Sequence, residues 1–206
     1  MIVSQSRARD RAKARRAPRE SVLAEPFALF AECLLTGVWI AVVSLPLVTV
    51  PAAFAAGARH LRRRTAHVGG GREEFVADFR AALRGGWLVG VAGWAGVAAV
   101  WVDVQAARAG IPGGPLVGAV GLLALIGGAV AGLRAAAVWE PGAAWRGLLA
   151  DAGRRTVLDP AGSFLLVGGQ AVVVCSAVLV APLAFPVLGA VAAAAVAVEK
   201  RHRRRR

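Results

Sequence analysis

The sequence predicts an all-α fold: a polytopic transmembrane bundle of six spans arranged as three hairpins, with amphipathic helices on the cytoplasmic side. Three observations carry this. Apolar residues make up 57% of the 206 and charged residues only 18%, below the roughly 25% usual for a soluble domain. The charges lie in blocks separated by long apolar stretches. A bilayer imposes such segregation, because a charge at its centre costs roughly 2.5–3.5 kcal/mol on insertion scales. Finally, six crossings put every Lys and Arg except Arg108 on one side, as expected if cytoplasmic segments hold the excess of positive charge.

Residues 1–25 are polar, rich in Arg and Ala, and carry seven Lys/Arg. With no apolar face to bury, they read as a mobile cytoplasmic tail. An apolar stretch of 33 residues follows, from Pro26 to Ala58, interrupted by one charge, Glu32. One spanning helix needs about 20 residues. Pro46 and Pro51 sit inside this stretch, and proline removes a backbone donor and clashes with the preceding turn. The stretch therefore reads as a helix over about 26–45, a turn, and a shorter helix over about 51–65. Charge placement supports the reversal. Arg59, Arg62, Arg63, Arg64, Arg72, Arg80 and Arg84 come next, and a hairpin returns them to the side of the basic N-terminus. A single crossing, giving five spans, is the alternative.

Residues 86–104 form the next span, with Trp87, Trp94 and Trp101, and 105–113 a polar link. Residues 114–139 hold a fourth span with Arg134 near its inner end. A polar segment at 140–160 leads to a fifth span at 161–181. A tight turn at Pro182 to Pro186 opens a sixth, ending near Val198, before the basic tail 200–206. The domain thus covers 26–199. Two amphipathic stripes precede spans three and five. One is Phe75, Phe79 and Leu83, with Glu73 and Glu74 at its start and Arg80 and Arg84 at its end, a polarity that suits the helix dipole. The other is Trp145, Leu148, Leu149 and Ala152, backed by Arg146, Arg154 and Arg155. Each reads either as a helix at the inner membrane surface or as an extension of the span that follows.

The net charge of +13 does not argue for nucleic acid, because the basic residues flank apolar spans, where they set orientation and meet anionic lipid head groups. Cys33 and Cys175 sit inside apolar runs and read as small packing residues. A cleaved signal peptide fits poorly, since the apolar stretch far exceeds the usual ~7–15 residues. Arg dominates Lys, and Asn and Tyr are absent. That bias suggests GC-rich codon usage and a bacterial plasma membrane.

Some of these segments resemble a known family. Leu45-Pro46-Leu47-Val48-Thr49-Val50-Pro51-Ala52, a small-residue helix and a basic stretch precede Phe75-Val76-Ala77-Asp78-Phe79-Arg80 and a Trp-rich span. Together with Leu148-Leu149-Ala150-Asp151-Ala152, this pattern resembles the YesL-like family of bacterial membrane proteins, whose function is unknown. The similarity covers about residues 26–198. The family usually has Gly where this chain has Val50, and aromatics where its helices are Ala-rich. Members are often encoded near carbohydrate-uptake systems. The resemblance therefore implies an accessory role in sugar uptake, with a sugar ABC transporter or another membrane protein as partner.

No catalytic constellation is visible. There is no phosphate-binding Gly-x-x-x-x-Gly-Lys motif, no nucleophile–base pair, and His60, His67 and His202 have no metal-ligand spacing. No enzyme activity, cofactor or metal is expected. Polar groups within spans are functional candidates by default: Glu32, which could pair with Arg134, and also Asp103 and Gln170. Arg59, Arg62, Arg63, Arg64, Arg154 and Arg155 are candidates for contact with the membrane surface. Pro46, Pro51, Pro182 and Pro186 mark the turns. Gly86/Gly90, Gly114/Gly118 and Gly128/Gly132 have the Gly-x-x-x-Gly spacing that lets helices approach closely. Trp87, Trp101 and Trp139 fall near expected interfaces. The expected role is a non-catalytic accessory or regulatory component. A small transporter or channel subunit is the rival, with Glu32, Asp103 or Gln170 lining its path.

Overall fold

The computed structural model describes residues 31–66, 68, 70–179 and 184–204. The basic tail 1–25, His67, Gly69 and the turn proline Pro182 lie outside the described residues. Among those described, the chain is all-α, with seven helices and no strand.

Helix α1, Ala31–Val43, and α2, Val50–Thr65, form an antiparallel pair. Glu32 reaches His60 and Arg64, while Ile40 and Thr36 lie over Gly57, where a Cβ would overlap the Ile40 side chain. Residues 44–49 make the reversal. Pro46 is in the turn, and Leu47 adopts a left-handed φ of 49°. The Thr49 hydroxyl donates to the Val43 carbonyl at 2.5 Å, tying the two ends together. Pro51 falls in the first turn of α2, where its missing N–H is not needed. The reversal drawn from the two prolines is therefore present.

Helix α2 is the axis of the bundle. Ala52, Ala53, Ala55, Ala56 and Ala58 are fully buried, and α3, α4 and α7 pack around it. A helix covered all round is a core helix, and alanines let its neighbours come close.

Helix α3, Arg72–Arg108, is one continuous helix of 37 residues, about 55 Å long at 1.5 Å per residue. The amphipathic segment 73–84 is thus an extension of the span, and the helix runs through Gln105 instead of ending there. The Gly71 N–H donates to Glu74 Oε2 at 2.7 Å, capping the helix start. A short loop with Gly110 and Gly113 at positive φ leads into α4, Gly114–Val138. Next come α5, Trp145–Leu158, and α6, Pro160–Leu179, which meet at a 106° bend. The second amphipathic segment is therefore a separate helix lying across its span. Helix α7, Ala184–Arg204, contains Pro186 and continues beyond Val198 into the basic tail.

The expectation of six spans needs correction. Among the described residues, only α3 and α4 are long and apolar enough to cross a membrane by themselves, with a third crossing if the bent pair α5–α6 counts as one. The difference has physical causes. Helix α2 has 16 residues, three of them the arginines of its last turn, and its apolar face is covered by protein. Helix α7 devotes its last turns to charge.

Gly86 and Gly90 are close-packing positions. A Cβ at Gly86 would sit 3.2 Å from that of Ala52, and one at Gly90 would overlap the Val48 carbonyl. Val48 belongs to the α1–α2 turn, so that turn reaches only halfway along α3. Beyond it, the remainder of α3 and the first half of α4 pack mainly on each other and expose most of their apolar side chains. Only 6% of the residues in each apolar stretch are buried. Gly114 packs against Ala107, whereas Gly128 and Gly132 face open space. Trp87 and Trp101 are exposed, but Trp139 is 1% exposed and stacks on Trp145. Trp139 is a core residue, not an interface anchor.

Candidate functional site: the charged end of the bundle

Sequence alternation of apolar runs with charge blocks brings the charges to one end of the bundle. Helix α2 ends in Arg59, Arg62, Arg63 and Arg64, one turn past its buried alanines. Asp78, buried on the inward face of α3, pairs with Arg59 and lies 3.2 Å from Arg63. Glu32 of α1 pairs with Arg64 at 3.1 Å. Arg62 donates to the Ala137 carbonyl, and at 2.6 Å to that of Trp139. Lys200 of α7 donates to the Thr65 hydroxyl at 3.0 Å.

Arg134 sits at the centre of the second cluster. It is 0% exposed, and its terminal nitrogens reach Asp159 Oδ2 at 3.0 Å, Glu199 Oε1 at 3.3 Å and Ser163 Oγ at 3.3 Å. Arg155 holds the other Glu199 oxygen. Two cations and two anions thus neutralise one another in a buried site, the condition under which buried charge is tolerated. The cluster ties α4, α5, α6 and α7 at the α5–α6 bend. The Asp159 side chain also accepts from the Gly162 N–H at 3.1 Å, capping α6.

The expected Glu32–Arg134 pair is not formed. Each group takes nearer partners: Glu32 bonds across the α1–α2 hairpin, and Arg134 bonds to the α5–α6 bend and α7. His60 is almost fully buried and lies edge-on to Trp39. Its Nε2 is 3.4 Å from Glu32 Oε2. Burial pushes the His60 pKa down, outweighing the neighbouring Glu32, so the ring is neutral at neutral pH and this contact is no ion pair. At the open end of α3, hydrogen bonding from the Gly71 N–H holds the Glu74 carboxyl below the ordinary range.

Of the six arginines expected to meet the membrane surface, Arg59, Arg62, Arg63, Arg64 and Arg155 hold partners inside the protein; Arg154 is exposed. Asp103 is half-buried on α3 against Gly118 and Gly121 of α4, and Gln170 is half-buried on α6. Neither joins the charged end. Sequence reasoning passed over Asp78, Asp159 and Glu199. The available signal was an acid beside each basic block, Glu199 being the lone one before the C-terminal run. Among the described residues, no three His, Cys, Asp or Glu side chains gather to hold a metal ion. No family model, curated protein or solved structure matches the chain.

Proposed function

We propose that the chain is an integral protein of a bacterial plasma membrane, with both termini cytoplasmic, acting as a non-catalytic accessory or regulatory component. Its helices enter the membrane in pairs. The α3–α4 hairpin crosses. The α6–α7 pair, in contact where Gly169 meets Val191, inserts beside it, α7 with the apolar turns that precede its charged end. The α1–α2 pair, whose α2 helix of 16 residues falls short of the roughly 30 Å hydrocarbon core, enters from the charged side and returns. Pairing keeps every basic block on the cytoplasmic side, as six spans would.

One observation carries the accessory reading. The apolar stretches of α3 and α4 are bare, with 6% of their residues buried, while the buried acids of the inner end are paired with arginines. That leaves a large apolar surface for lipid and membrane partners, with no chain of polar groups through the described bundle to conduct a solute. The resemblance to the YesL-like family directs the search toward a sugar ABC transporter. Purification of the full chain from native membranes in mild detergent, with sugar uptake measured in a deletion strain, tests this reading. Co-purification of a transporter and impaired uptake are expected. A chain that always emerges alone and leaves uptake unchanged contradicts it. Solute flux by the purified protein in vesicles would favour the rival transporter or channel reading.

A further inference from the structure

The far end of the α3–α4 hairpin holds a second site. Between the two helices lies an open cavity of about 420 Å³. Its walls are mainly apolar, including Val100, Val104 and Leu122, and Gly114 and Gly118 make room on the α4 side. Two charged residues line it, Asp103 and Arg108. On a helix of 3.6 residues per turn these two stand on opposite edges of one face.

Asp103 has no hydrogen-bond or ion-pair partner among the described residues, and its carboxylate lies toward Gly121, close to where a Cβ would be. Arg108 makes one long contact, 3.5 Å to Gln105 Oε1. An ionisable residue inside an apolar hairpin is costly without a partner. The hairpin supplies none for Asp103, although at the opposite end of the bundle every buried acid is paired.

We infer that this groove binds one phospholipid whose head group carries a primary ammonium, such as phosphatidylethanolamine. Arg108, reaching back toward Gln105, holds the phosphate at the groove mouth, the ethanolamine arm folds inward so that Asp103 accepts hydrogen bonds from its ammonium, and the Val100–Leu122 wall packs along an acyl chain. Charge complementarity selects this occupant. An anionic lipid without an amine would bring a second negative charge to Asp103. A choline head group keeps the positive charge but has no N–H to donate. The inference rests on α3–α4 lying in the membrane, as proposed above.

Native mass spectrometry of the purified full chain tests it, after delipidation and titration with phosphatidylethanolamine, phosphatidylglycerol or phosphatidylcholine. The wild type should retain one phosphatidylethanolamine about tenfold more strongly than phosphatidylglycerol, a difference one charge-assisted hydrogen bond can supply. Asp103→Asn should abolish that preference, Arg108→Gln should weaken all three lipids, and Gly118→Leu, which fills the groove, should prevent retention. Equal retention of the lipids by the wild type, or an unchanged preference in Asp103→Asn, overturns the site and leaves the membrane reading untouched. Retention of none also overturns it, while the membrane reading is judged separately, by the accessibility of loop 109–113.

Discussion

The Arg62 guanidinium on α2 donates a 2.6 Å hydrogen bond to the carbonyl oxygen of Trp139, immediately after the last residue of α4. Its other terminal nitrogen serves the Ala137 carbonyl. The last carbonyls of a helix have no partner within it and carry its negative dipole end. A basic side chain from the central helix therefore caps a neighbour and fixes where α4 stops. Arg62→Gln should destabilise the fold by about 1–2 kcal/mol, read from denaturant unfolding in detergent. An unchanged midpoint would show that the cap is idle.

Arg134 links Asp159 and Glu199 across the α5–α6 bend. Arg134→Ala leaves two buried carboxylates with reduced compensation and should cost about 3 kcal/mol or more. Combining it with Glu199→Gln should recover part of that loss. Unfolding midpoints of the single and double variants measure the coupling, and strict additivity would mean that the pair is not a unit.

Two glycines three residues apart on α3 give a controlled comparison. Gly90 faces the Val48 carbonyl, whereas Gly93 has nothing within 4 Å. Gly90→Ala must push the α1–α2 turn away and should cost about 1–3 kcal/mol. Gly93→Ala should leave stability unchanged or slightly higher, because alanine is the better helix former.

Because His60 is held neutral by burial, its folded pKa lies below the ordinary value of about 6.5. Above that value both states are neutral. As pH falls below it, the unfolded chain binds a proton that the folded chain resists, so stability declines toward acid. Unfolding midpoints between pH 8 and pH 5 should fall for the wild type and fall less for His60→Leu. Equal slopes would assign the acid sensitivity to other groups.

Much of this was legible in local sequence. Pro46 and Pro51 mark a reversal that the structure contains, and the four arginines after Ala58 announce the charged end. What failed was the choice of neighbour. Hydropathy treats Ala52–Ala58 alike whether lipid or protein covers them, so α2 read as a span when it is the core. Gly85-Gly86 resembles a break between a surface helix and a span. Both glycines instead stay helical and make room for the Trp145 ring. At the second such segment, Pro160 does mark a bend, because a residue before proline is pushed out of the helical region. Glu32 and Arg134 were plausible partners by depth, but depth does not say which helices touch.

The charged end and loop 109–113 should lie on opposite sides of the membrane. With Cys33 and Cys175 replaced by Ser, single cysteines at Ala66 and Gly110 can be challenged with a membrane-impermeant maleimide in intact and permeabilised cells. Gly110→Cys should react in intact cells, and Ala66→Cys only after permeabilisation. Labelling of both from the same side, or of Ala66→Cys alone in intact cells, would contradict this arrangement.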